Sequence, residues 1–500
     1  MINPTFVSKT LGRSRRFIFG IFLVLTHVTS LVHAENMPTK PNVLLIIADD
    51  LAKELGCYGE PAVITPHIDQ LAKDGVKFSR AYSQGAVCTP SRNSLLTGLS
   101  TRSTTIHGKY NVIYPKATSL GRHFRQNGYQ TAGFGKIEHT IEYQDVQGWD
   151  YREEPRCKAK ANKREFYQQD GEGELKQNRH RNITQIYNDK DKTSDALRAD
   201  RFEKFLKEEW DRTKPFMAAV GFHNPHEPHE VYQRNLDSVD LTKIQLQKDP
   251  ESASPFNPLA FNFVPWFPEE ETQRKMIRSY FAAVNQMDEQ VGRLLGFLRD
   301  QGIDNHTIVV FISDNGYQHG YRGQWAKHNV YPKVLNLPLI AKVPSLTKAG
   351  GEAQGIVEYL DLFPTLVDIC ALPAVPHRDG KSFKAQLANP QALGKEAAYA
   401  EWEIPAKNIK EIQANLPASL KVLAVPEIKG GSHARTVTTE EWCYVEYYGT
   451  EVRELFRLKD DPYAYRNVVD QHPEVATQHA ALLHKYFPQD LKRIPVEGER

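Results

Sequence analysis

The 500-residue chain has only five cysteines, Cys57, Cys88, Cys157, Cys370 and Cys443, and no two have C-x-x-C spacing. A zinc ribbon or a disulfide-stapled miniprotein is therefore excluded. Its charge is not of one sign: 63 basic residues stand against 61 acidic ones, a formal net charge of +2. That argues against a broadly basic nucleic-acid binder. Glycine and proline, 31 and 30 residues, are too few for a fibrous or disordered chain. Past the first 34 residues no run is apolar enough to span a bilayer, and there is no internal repeat.

Residues 1–34 combine a basic start (Lys9, Arg13, Arg15, Arg16), an apolar run from Phe17 to Leu25, and Val32-His33-Ala34 at a cleavage-like site. This is the layout of a secretory signal peptide, and its apolar core is short for a membrane anchor. Without its four basic residues, 59 basic residues face 61 acidic ones. The expectation is an exported protein, periplasmic or secreted, with no stable membrane insertion.

What is present is an alternation of strands and helices. Asn42 to Ala48 is a continuous apolar run, the pattern of a strand covered on both faces. Tyr129–Phe134, Phe216–Phe222, Thr307–Ser313 and Leu337–Val343 read as further strands. Ser91 to Thr97 reads as a helix closed by Gly98, and Thr272 to Leu298 as a long amphipathic helix with Ile277, Tyr280, Phe281, Val284 and Met287 on its apolar stripe. This predicts an α/β domain over residues 35–375 built on a large, mostly parallel sheet flanked by helices. Residues 141–193, polar and rich in Lys and Arg, read as a charged insertion, either a solvated surface or a wall for an anionic substrate. Beyond about residue 375 the alternation stops, and Trp442 to Tyr448 alternates as an antiparallel strand does. Residues 376–500 read as a smaller C-terminal α+β domain.

The polar residues that matter follow the strands. Asp49-Asp50 follows the first, Lys136 and His139 the second, His223 and His226 the third, and Asp314-Asn315 the fourth. In open parallel sheets ligands sit beyond the carboxyl ends of the strands, so these segments converge on one site. Asp49, Asp50, Asp314 and Asn315 offer only oxygen ligands, which suit Ca²⁺ or Mg²⁺ rather than zinc. Cys88 lies just before a helix start, where backbone N–H groups favour an anion and are expected to depress a thiol pKa.

Cys88-Thr89-Pro90-Ser91-Arg92, with Thr97-Gly98, resembles the signature of the sulfatase family. The resemblance runs from about Pro41 to Val343, with a weaker echo at Glu454-Leu455-Phe456. It is nearest to the iduronate-2-sulfatase branch, through Gly135 to His139, Gly221 to His226 and Gln324 to Lys327. It implies an alkaline-phosphatase-like fold and a sulfuric ester hydrolase acting on a sulfated oligosaccharide or polysaccharide. It also implies that a formylglycine-generating enzyme converts Cys88 to formylglycine, whose hydrate attacks sulfur. The same resemblance makes Asp49, Asp50, Asp314 and Asn315, with modified Cys88, the ligands of one Ca²⁺. Arg92 and Lys136 would hold the hydrate and the anion, and Lys327 the sulfate. His139 would take a proton during sulfate release, His226 would protonate the leaving oxygen, and His223 is a candidate substrate contact. The branch pattern has histidine where Asn315 stands, a departure that touches specificity rather than chemistry. An arylsulfatase, a phosphomonoester or phosphonate hydrolase, and a non-enzymatic glycan-binding protein are the competing readings.

Overall fold

The computed structural model describes residues 40–106, 117–139, 145, 147–168, 181–417, 420–424 and 432–488; the segment read as an export signal lies outside them. Strand β1 (Asn42–Ala48) is buried along its whole length. Its side chains alternate between two apolar cores, Leu44, Ile46 and Ala48 entering one and Val43, Leu45 and Ile47 the other. A strand with no polar face has to be covered twice, and it is. Helices α1 (Pro66–Asp74), α4 (Ser194–Lys204) and α5 (Glu270–Asp300) close one face. Helices α2 (Cys88–Thr97), α3 (Leu120–Gln126) and α6 (Leu362–Ile369) close the other.

The sheet has eight strands, in the order β8 (Gly351–Ala353), β2 (Val76–Phe78), β7 (Leu339–Lys342), β6 (Thr307–Ser313), β1, β5 (Phe216–Gly221), β3 (Gln130–Gly135) and β4 (Tyr151–Glu153). From β6 to β4 all neighbours are parallel. The sheet is nevertheless mixed, because β7 runs antiparallel to both β6 and β2. The cause is the connection from β6 to β7. It builds the polar site at one edge of the sheet instead of crossing back, so the next strand starts from that edge and runs the other way.

Residues 141–193 are more than a solvated insertion. β4 extends the main sheet, while Lys163–Gln168 and Arg181–Tyr187 form a three-stranded sheet with His229–Tyr232. Alternate residues Asn182, Thr184 and Ile186 are buried. Its cations are partly matched locally: Arg152 pairs with Glu138 at 2.9 Å, Arg156 with Glu154 at 2.6 Å and Lys163 with Glu165 at 3.1 Å. Those pairings engage three of the six cations that the sequence clusters between Arg152 and Arg164.

The C-terminal sheet, β9 (Ala398–Ile404), β10 (Ser432–Thr438), β11 (Trp442–Tyr447) and β12 (Arg453–Arg457), is antiparallel throughout. Its inner residues Trp402, Val445 and Phe456 share one apolar cluster with Phe256, Tyr331 and Val334 of the larger body. Buried Glu454 fastens the join, accepting from Tyr331 Oη at 2.7 Å and Tyr447 Oη at 2.6 Å. Among the described residues no helix is long and apolar enough to cross a membrane, and all five cysteines are unpaired.

Two glycines bring the ends of β3 and β5 together. A Cβ on Gly221 would lie 1.8 Å from the Lys136 carbonyl oxygen. One on Gly135 (φ +81°) would lie 2.2 Å from the Gly221 carbonyl oxygen. The close approach holds Lys136 N–H on Gly221 O at 2.9 Å and so aims the residue that follows β3. Gly221→Ala is expected to lower stability by about 3 kcal/mol through overpacking. At Gly302, where φ is +67° and nothing lies within 4 Å of the added Cβ, alanine is expected to cost only about 1 kcal/mol of backbone strain. Urea unfolding of the two variants measures the difference.

Candidate active site

The register of the central strands assembles the site. Ala48 of β1 lies opposite Ser313 of β6, so Asp49-Asp50 and Asp314-Asn315 emerge side by side although 264 residues separate them. β5 lies against the other side of β1 and delivers His223 two residues past its end. Lys136 follows β3 directly. Helix α2 begins at Cys88, with Val87 still extended, and points its first turn at the same place.

Cys88 Sγ lies 3.4 Å from Asp49 Oδ1, 3.5 Å from Lys136 Nζ and 3.1 Å from Lys327 Nζ. Arg92, one turn along α2 and 1% exposed, donates from Nε to Asp314 Oδ2 at 2.8 Å. Its Nη2 lies 3.6 Å from Asp49 Oδ1, and its Nη1 donates to Ile137 O at 3.1 Å and to Lys136 O. Lys136 Nζ donates to Asp49 Oδ2 at 2.5 Å, and Lys327 Nζ donates to Asp50 Oδ1. Three buried carboxylates are thus met by three cations. Burial alone would push the Asp49 carboxyl up; Lys136, His226 and Arg92 outweigh it and hold the group well below the usual carboxylate range. Asp50 is lowered in the same way against its burial, chiefly by Lys327 and then His226.

Cys88 departs from expectation. Burial pushes its thiol up, the Asp314 carboxylate adds to that, and the pull of Lys136 and Lys327 does not reverse it. The helix start is outweighed by desolvation and a crowded carboxylate.

The donor set fits a hard cation. One oxygen or sulfur from each of Asp49, Asp50, Cys88 and Asp314 lies within 4.8 Å of the others. Asn315 is fully buried; its Nδ2 donates to Asp50 Oδ1 at 2.8 Å, while its Oδ1 has no hydrogen-bond partner. A buried amide oxygen left unmet beside three carboxylates is what an oxygen-ligated divalent ion would satisfy.

Both histidines after β5 face the cluster: ring nitrogens of His223 and His226 lie within 4.8 Å of each other and of an Asp49 oxygen. His226 Nδ1 lies 2.5 Å from Glu227 O, which fixes the proton on Nδ1 and leaves Nε2, 3.7 Å from Asp50 Oδ2, toward the site. His223 Nε2 lies 3.1 Å from Pro228 O. Burial, then neighbouring His226, pushes His223 down to about 3, so it is neutral across the physiological range. His139 is half-buried, three residues beyond Lys136.

Other residues that hold the site carry no sequence signal. Asp50 sits at φ +64°, strained for a residue other than glycine. Tyr280 of α5 pins that turn, donating from Oη to Asp50 O at 2.8 Å and accepting from Ala52 N–H at 3.1 Å. Asp195 caps the loop after β5, accepting from the backbone N–H of His223 at 2.7 Å and of Asn224 at 3.0 Å. Ser91 Oγ donates to Asp314 O. Tyr280 lies on the apolar stripe of a long helix and reads as ordinary core. Tyr280→Phe is expected to weaken binding of a divalent cation at this cluster up to about tenfold, the worth of one buried hydrogen bond. Calorimetric Ca²⁺ titration checks this, and unchanged affinity would mean that Asp50 holds its turn without Tyr280.

The sulfatase family profile matches residues 41–371. The iduronate 2-sulfatase of Mus musculus is 28% identical, the alignment covering 89% of this chain and 93% of that protein. The iduronate 2-sulfatase of Homo sapiens is 30% identical over 75% of this chain and 78% of that protein. Among solved structures, the phosphonate monoester hydrolase of Agrobacterium radiobacter superposes with a TM-score of 0.72 at 22% identity, covering 90% of this chain and 96% of the other, a likeness of fold. With its signature cysteine set among three carboxylates and three cations, the chain belongs to the sulfatase family and is a sulfuric ester hydrolase.

Proposed function

We propose that the protein removes O-linked sulfate from a sulfated glycan, using formylglycine made from Cys88 and one Ca²⁺ held by Asp49, Asp50, Asp314 and Asn315. The observation that carries the proposal is the position of Cys88: first residue of a buried helix, within 4 Å of Asp49, Lys136 and Lys327. The glycan follows from the two iduronate 2-sulfatase relatives, iduronate being a sugar acid. The maturation partner is then a formylglycine-generating enzyme, and residues 1–34 export the chain to a periplasmic or secreted location.

When present, the formylglycine hydrate supplies the attacking oxygen and Ca²⁺ supplies positive charge to the sulfate oxygens. The chain's own residues do the rest. Arg92, locked by Asp314 and Asp49, fixes the first turn of α2 and with it the nucleophile. Lys136 and Lys327 place two ammonium groups within 3.5 Å of the Cys88 side-chain terminus, where the sulfate oxygens would gather charge. His226, when protonated on both ring nitrogens, would give its Nε2 proton to the ester oxygen as the sulfur–oxygen bond breaks, so the sugar leaves as an alcohol. His139 would accept a proton as sulfate departs. His223, held neutral, offers a substrate contact and not a proton.

Anion chromatography of reactions with O-sulfated oligosaccharides tests the proposal, on enzyme co-expressed with a formylglycine-generating partner and supplied with Ca²⁺. Wild type should release sulfate, and Cys88→Ala none. Phosphate release from matched phosphate esters should be minor; if it dominates, the phosphoester reading replaces this one. His226→Ala should slow release from a sugar sulfate by about 10²- to 10⁴-fold, the usual worth of a general acid. The loss should be less than about tenfold on 4-nitrophenyl sulfate, whose good leaving group needs little protonation. Equal losses on the two substrates would remove His226 from the proton-donor role.

A further inference from the structure

The two histidines after β5 hold a second set of donors beside the carboxylate cluster. A ring nitrogen of His223, a ring nitrogen of His226 and a carboxylate oxygen of Asp49 all lie within 4.8 Å of one another. The two rings are tilted by 42°, with centroids 5.5 Å apart. Both histidines are part-exposed, while Asp49 is buried. Calcium asks for roughly six to eight oxygens and has little use for two imidazoles. Zinc takes such nitrogen and carboxylate donors, at about 2.0–2.1 Å.

Each ring is already arranged as a ligand. A carbonyl oxygen only accepts, so the ring nitrogen that faces one carries the proton. His226 Nδ1 lies 2.5 Å from Glu227 O, and His223 Nε2 lies 3.1 Å from Pro228 O. In the neutral rings this leaves His226 Nε2 and His223 Nδ1 as bare lone pairs. A backbone carbonyl behind the second ring nitrogen is the usual support of a zinc-bound histidine. His223 is held neutral, the form that binds metals, because burial disfavours its charge. His226 Nε2 also faces Asp50 Oδ2 at 3.7 Å. Two acceptors that close call for a proton or a cation between them.

We propose that His223, His226 and Asp49 form an inhibitory site for Zn²⁺ or a similar borderline divalent ion, sharing only Asp49 with the ligands assigned to Ca²⁺. Binding is a property of the donor set itself. Inhibition rests on the proton-donor reading of His226 above, since the ion takes the Nε2 lone pair that has to carry the proton. Lys136 Nζ, 2.5 Å from Asp49 Oδ2, puts a positive charge beside the ion. The site is therefore weaker than a structural zinc centre, and a chelator reverses it.

The test strips the full chain with a chelator, resupplies excess Ca²⁺ for the oxygen cluster, and titrates with Co²⁺, a coloured stand-in for Zn²⁺. One equivalent should bind with the strong visible bands of a four-coordinate ion, bleached by Zn²⁺, and without the near-ultraviolet band of a cobalt–thiolate bond. His223→Gln and His226→Gln should each weaken Zn²⁺ binding at least about tenfold, the loss of one ligand. Asn315→Ala should change it less than about twofold. A cobalt–thiolate band, or equal losses in Asn315→Ala and the histidine variants, puts the ion in the Cys88 cluster and overturns the proposal, as does the absence of binding. Should a histidine variant melt below wild type, diethyl pyrocarbonate labelling of wild type replaces it. Zn²⁺ should then protect His226, and labelling unchanged by Zn²⁺ overturns the site. Bound Zn²⁺ should also stop sulfate release until it is chelated. Release unchanged with Zn²⁺ bound overturns the inhibitory role, and with it the proton-donor role of His226, while the metal site itself stands.

Discussion

Three carboxylates crowd the dry end of a parallel sheet, and much of the local structure answers to that. Asp49, Asp50 and Asp314 are each at most 3% exposed. Two like charges 4 Å apart repel by about 4 kcal/mol at an effective dielectric of about 20, before any cost of leaving water. Compensation comes from Arg92 on α2, Lys136 at the end of β3 and Lys327 on the loop between β6 and β7. Each cation stands on a different segment, so meeting the charge requirement also ties those segments to β1 and β6. Gly135 and Gly221 then follow as necessities, since Lys136 reaches Asp49 only if β3 and β5 nearly touch at their ends.

This organisation decides what could be read from sequence. Asp49-Asp50, Lys136, His223, His226 and Asp314-Asn315 were legible because each follows an apolar strand, and parallel topology sends such ends to one place. The Cys88 to Arg92 stretch was legible because its motif is specific. Tyr280 and Asp195 were not, because each acts by holding backbone, which leaves no mark on residue type or spacing. Tyr280 even occupies a position where helix periodicity calls for core. The direction of β7 was hidden because an apolar strand reads the same whichever way it runs. The strand at Arg181–Tyr187 was hidden because Asn182 and Thr184, polar by type, are buried by position. Helix-start reasoning misjudged the Cys88 thiol because desolvation depends on the whole assembled site.

The C-terminal segment is built as a wall of the larger body. Its sheet shares an apolar cluster with the loop that carries Lys327 and with residues 256–264. That accounts physically for the short Glu454-Leu455-Phe456 echo: Glu454 is the buried acceptor of two tyrosine hydroxyls, one from each side of the join, and Phe456 packs edge-on to Tyr331 at 5.5 Å. Glu358 works likewise at the other edge, taking Lys395 Nζ at 2.6 Å and Gln84 Nε2 at 2.5 Å. A sheet anchored this firmly can present Trp402 and Glu401 to the segment leading into Cys88 without a hinge.

Charge balance also bears on which esters such a site turns over. Asp49, Asp50 and Asp314 are cancelled by Arg92, Lys136 and Lys327, so under the calcium-bound reading the ion leaves a surplus of two positive charges. A sulfate monoester enters with one negative charge. Bond breaking shifts that charge toward the leaving oxygen, and an attacking oxygen that has given up its proton would bring the second negative charge. The surplus therefore matches the transition state better than the bound ester, and only that difference accelerates the chemistry. A phosphate monoester, already near two negative charges when it binds, spends the same attraction in its ground state. A phosphonate monoester carries one charge, as a sulfate ester does, so electrostatics alone would admit both. What separates them has to come from the groups that meet the rest of the substrate.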